Sequence, residues 1–111
     1  MTVRDMVGDI QREILRGDVS PARASHLETS LSALLGYISE EMREADLAYS
    51  TVLLACLGTE EKANRARIRA ECSPEYLRKR EAKDVYTVAL EMIRSLRQLL
   101  RTQGDEMRLQ R

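Results

Sequence analysis

From Pro21 to Pro74 the chain has no proline, and along most of that interval apolar residues return at a helical spacing. Leu27, Leu31, Leu34, Ile38, Met42, Ala45, Tyr49, Val52 and Cys56 follow one another at steps of 4, 3, 4, 4, 3, 4, 3 and 4. Such steps put all of them on one stripe of an α-helix, whereas a half-buried strand needs strict alternation. From Ile38 to Cys56 the pattern is a coiled-coil seam, and the extra four-residue step near Met42 changes the supercoil locally. Leu35, Ala48 and Leu53 widen the stripe. A helix from Pro21 to Leu57 would be roughly 55 Å long at about 1.5 Å per residue.

Punctuation around this segment sets the expected boundaries. Thr2 is placed to cap a first helix, with Asp5 in its first turn and Val3, Met6, Val7, Ile10 and Ile14 on one face. Gly17 is a natural stop. Ser20 and Pro21 supply the cap and first position of the long helix. Gly58-Thr59 reads as a stop followed by a new cap, after which "TEEKANRARIRAEC" is polar with a thin edge of Ala63, Ala66 and Ala70. Ser73-Pro74-Glu75 restarts the chain, and Leu77, Val85, Ala89, Met92, Leu96, Leu99 and Leu100 form the last stripe; Gly104 is expected to end it.

The expectation is one all-α domain: a short helix at 2–17, a long helix at 20–57, a polar basic connector helix at 59–72 and a long helix at 74–104. The two long helices make an antiparallel, coiled-coil-like hairpin. Its seams are wide, and aromatic residues make up only 4% of the chain, with no Phe or Trp to fill a monomeric core. A homo-oligomer is therefore expected, with Leu27, Leu31, Leu34, Ile38, Tyr49, Val52, Leu96 and Leu99 at the interface. The rival arrangement is a three-helix monomer in which residues 3–16 cover the seam.

The formal net charge of zero hides an asymmetry. Residues 1–61 hold five Arg and eleven acids, a net of −6, whereas residues 62–111 hold thirteen Lys or Arg and seven acids, a net of +6. Such a division marks either a polyanion-binding end or helices whose opposite charges pair on folding back. Arg94, Arg97 and Arg101 follow one helical row and are expected to pair with Glu40, Glu41, Glu44 and Asp46. No apolar run is long enough for a membrane span and no signal segment is evident, so a cytoplasmic protein is expected.

Catalytic chemistry does not assemble. His26 is the only histidine, Cys56 and Cys72 form no CxxC pair, and no phosphate-binding or nucleophile-elbow motif occurs. The two cysteines read as reduced thiols. No enzyme, metal site or cofactor is expected. The stronger signal is basic. Lys62, Arg65, Arg67, Arg69, Arg78, Lys79, Arg80 and Lys83 stand against Glu71, Glu75 and Glu81, a local net of +5 around the Ser73-Pro74 break. Such a cluster neutralises phosphates with release of counterions. Tyr76 lies inside it and is a candidate for stacking on an unpaired base. With no helix-turn-helix pattern, single strands suit it better than duplex readout.

The layout of "RARIRAECSPEYLRKREAKDVYTVALEMIRSLRQLL" resembles small helical phage proteins, and more loosely the UvsY-type recombination mediators. The likeness covers roughly residues 38–107: a long helix, a basic interruption, then a helix opening with "EAKDVY" and ending in an Arg-rich amphipathic run. It implies helical subunits that assemble, bind single-stranded DNA and work with a recombinase and a single-strand-binding protein in the host cytoplasm. It carries Arg65, Arg67, Arg69, Arg78, Lys79 and Arg80 over as DNA contacts. The competing expectation is a helical protein–protein interaction module, such as a phage assembly chaperone, a structural adaptor or an inhibitor of a host protein, with no nucleic-acid binding.

Overall fold

The computed structural model describes residues 2–109, and every regular element among them is an α-helix: α1 (Val3–Leu15), α2 (Pro21–Thr59), α3 (Ala63–Glu71) and α4 (Pro74–Leu109). Three of the four starts follow from local hydrogen bonding. At α1 the Asp5 N–H donates to Thr2 Oγ1 (3.1 Å) and the Thr2 N–H donates to the Asp5 carboxylate (3.0 Å), a reciprocal capping box. Ser20 Oγ accepts from the Arg23 N–H (3.2 Å) to open α2, and Ser73 Oγ accepts from the Tyr76 N–H (3.3 Å) to open α4. Gly17, with φ +88°, takes the left-handed conformation that closes α1.

α2 ends at Gly58-Thr59 as expected, but the new cap expected there does not form. α2 runs through Gly58 to Thr59, and the Thr59 hydroxyl donates back to the carbonyls of Cys56 (3.2 Å) and Ala55 (3.4 Å) instead of capping the next helix. α3 begins after Lys62, which makes no side-chain cap hydrogen bond. α4, by contrast, continues through Gly104 to Leu109 although residues 104–109 are all exposed. A glycine inside a helix costs only about 1 kcal/mol, which is too little to end it.

The chain, expected as one domain, divides into two compact units. The first comprises the chain up to Tyr37 and again from Val85. Its core is Val7 of α1, Ala24, Leu27 and Leu31 of α2, and Ala89, Met92, Ile93 and Leu96 of α4. Arg23 donates twice to the Glu13 carboxylate (2.6 and 2.7 Å), and Arg97 donates to Glu28 (2.7 Å). The second unit is Ile38–Asp84. Its core gathers Tyr49 and Cys56 of α2 with Ala66 and Ala70 of α3, and Val52, Leu53 and Tyr76 pack against them.

These cores revise the expected interface. Leu27, Leu31, Ile38, Tyr49 and Leu96 are buried within the chain itself, and Leu34, Val52 and Leu99 are half-buried. Intramolecular packing consumes the stripe, so most of it offers no free surface to a second molecule. Leu77 departs the other way: it is exposed, because its neighbour Tyr76 takes the inward position and adjacent helical residues diverge by about 100°. Among the described residues, no helix is long and apolar enough to cross a membrane.

Candidate nucleic-acid interface

All nine residues expected to touch nucleic acid fall in the second unit. The structure sorts them by what their charge already meets. On α3, Ala66 and Ala70 are fully buried and fix one face of the helix against the core. The residues on either side of Ala66 leave that face at about 100° per residue. Arg65 and Arg67 are accordingly exposed, as is Lys62 just before the helix, and none of the three is in an ion pair. Arg69 is also exposed, but its guanidinium meets Glu60 at 3.3 Å.

Two of the four basic candidates on α4 are already paired. Arg78 donates through Nε (2.6 Å) and Nη2 (3.1 Å) to the two oxygens of Glu41 and stands 3.5 Å from Glu44. This fork geometry makes the pair more specific than a point-charge contact. The hydrogen bonds from Arg78 hold the Glu41 carboxyl below its usual range, and Glu41 in turn raises the Arg78 pKa. The Lys79 ammonium lies 3.4 Å from Asp46 and 4.6 Å above the centre of the Tyr49 ring. Lys83 is exposed with no ion pair, and the Arg80 guanidinium is 6.0 Å from the Tyr76 ring.

Tyr76 is no free stacking platform. Its half-buried ring lies 5.3 Å from that of Tyr49, tilted by 47°, and packs against the core of the unit. The acids of α2 were expected to meet Arg94, Arg97 and Arg101, but they meet Arg78 and Lys79 instead, while Arg97 takes Glu28. The register is set by Tyr49 facing Tyr76, which places residues 41–46 nearer 78–79 than 94–101.

Elsewhere the surface offers little for chemistry. In the first unit an open cleft of about 430 Å³ is lined by Met6, Ile10, Ala33, Leu34 and Tyr37, with Asp9 and Ser30. It holds one carboxylate and no nucleophile beside Ser30. His26 is exposed. Among the described residues no three His, Cys, Asp or Glu are placed to hold a metal ion. Comparison with protein-family models, with curated proteins and with solved structures finds no match for the chain.

Proposed function

We propose that the chain is a single-stranded nucleic-acid-binding accessory protein whose contact surface is α3 and its approach, with Lys62, Arg65 and Arg67 on the phosphates and Lys83 and Arg80 as secondary contacts. One observation carries this reading: three cations on a short, core-anchored segment face solvent without an acid partner, whereas neighbouring Arg69, Arg78 and Lys79 are neutralised within the chain. Unpaired charge is what a polyanion recruits, since each phosphate neutralised releases counterions. The resemblance described above supports a setting in phage recombination, in the host cytoplasm, with a recombinase or a single-strand-binding protein as protein partners.

The test is fluorescence anisotropy with labelled oligo-dT at two salt concentrations. Binding should be tightest at low salt, with each phosphate contact adding about −0.7 to the slope of log K against log salt. Replacing Arg65 and Arg67 by Ala should flatten that slope, whereas Arg78→Ala should leave it nearly unchanged because Glu41 already holds that charge. No binding at low salt would sink the reading. The second reading, a helical interaction module, would then lead. It is favoured by the large apolar side chains Leu47, Leu54, Leu57, Ile68 and Leu77, all exposed in this one unit.

A further inference from the structure

Residues 47–58 of α2, "LAYSTVLLACLG", include no charged side chain. One side of this stretch is occupied, since Tyr49 and Cys56 are in the core of the unit and Val52 and Leu53 pack on it. The opposite side is bare: Leu47 and Leu54 are each 70% exposed and Leu57 is 44% exposed. A helix that is apolar around its whole circumference normally buries that circumference. Here only half of it is covered within the unit.

The bare side has its own heptad rhythm. Arg43, Leu47, Ser50, Leu54 and Leu57 follow at steps of 4, 3, 4 and 3 within α2, and Glu61 lies two residues beyond its last residue, Thr59. The apolar middle is bracketed by opposite charges, Arg43 at one end and Glu61 just past the other. Both are exposed and neither is in an ion pair. We propose that this face binds a second copy of the chain, antiparallel, about a two-fold axis passing midway between Ser50 and Leu54.

The direction follows from charge. A parallel copy would set Arg43 against its own equivalent and Glu61 against its own. The antiparallel copy sets Arg43 against Glu61, Leu47 against Leu57 and the small Ser50 against Leu54, so that each large side chain meets a complementary space. A two-fold contact must be self-complementary, and an uncharged centre meets itself without like-charge repulsion. This contact is separate from the buried seam of the same helix, and it shares no residue with the basic set, so it stands or falls apart from the nucleic-acid reading.

Sedimentation velocity of the full chain across micromolar concentrations tests it. The wild type should be a dimer in exchange with monomer. Leu54→Glu should weaken dimerisation by more than about tenfold, because the contact would bury an unpaired carboxylate, while far-UV circular dichroism stays helical. Arg43→Glu and Glu61→Arg should each weaken the dimer, and the two together should restore it. That rescue depends on the antiparallel register and not on folding alone. A wild type that stays monomeric throughout would overturn the proposal. So would a dimer indifferent to Leu54→Glu, or a double charge reversal that weakens the dimer more than either single change.

Discussion

The Ser73 hydroxyl serves two helix ends, donating to the Ala70 carbonyl that closes α3 and accepting the Tyr76 N–H that opens α4. Ser73→Ala removes both contacts and should destabilise the protein by about 0.5–2 kcal/mol in urea titrations. Ser73→Asp keeps the acceptor and should recover part of that loss; equal losses for both variants would show that the cap does not matter. The cysteines divide by exposure, since Cys56 is buried in the second unit's core and Cys72 lies exposed beside the break. A thiol reagent should therefore label Cys72 much faster in the native protein, and reductant should leave the melting temperature unchanged. Equal labelling rates would contradict the packing around Cys56. Caps of this kind were legible in the sequence because an i to i+3 hydrogen bond is a local event. Gly104 was misjudged because one glycine weakens a helix by only about 1 kcal/mol and does not by itself end it, as the continuation of α4 to Leu109 shows.

At the scale of the element, α3 is the piece that cannot stand alone. A nine-residue helix is unstable in water, so its position depends on Ala66 and Ala70, which are fully buried. Ala66→Leu forces extra methylenes into a filled site and should cost about 1–3 kcal/mol. Ala63→Leu, at an exposed position of the same helix, should be nearly neutral. Urea melts of the two variants separate these outcomes, and equal losses would mean that α3 is not held by its alanine edge. The edge was visible in the sequence but looked negligible, because alanine has a weak apolar signal even where it lets helices approach closely. The same weakness hid Ala82, which is buried although no stripe included it. The basic candidates all fall in one unit, but which of them are already paired was not legible in the sequence. That depends on which acids a second helix brings opposite them, as Glu41 and Asp46 are brought to Arg78 and Lys79.

For the whole molecule, the opposed charges of the two sequence halves are partly resolved by folding. Glu28–Arg97, Glu41–Arg78, Asp46–Lys79 and Glu60–Arg69 each join an acid from the first half to a base from the second. Side chains in these pairs remain substantially solvated, so each pair is screened by salt and contributes little alone. A dependence on pH follows from three carboxyls, of which Glu41 belongs to these pairs. Hydrogen bonds from Arg23 to Glu13 and from Arg78 to Glu41 hold both carboxyls below their usual value of 4.5, and the Thr2 backbone N–H, with the Thr2 hydroxyl, does the same for Asp5 below 3.8. A carboxyl whose pKa is lower in the folded chain binds its proton more readily when unfolded. The stability it contributes is complete above the unfolded value and is lost as pH falls through the folded value. The melting temperature should therefore be flat from neutral pH down to about 5 and fall progressively below about 4.5. Glu41→Gln removes one source of that slope. It should lower the melting temperature at pH 7 and shrink the difference between pH 7 and pH 3.5. Thermal melts followed by circular dichroism at those two pH values check this, and a wild type as stable at pH 3.5 as at pH 7 would show that these ion pairs and caps contribute nothing to the fold.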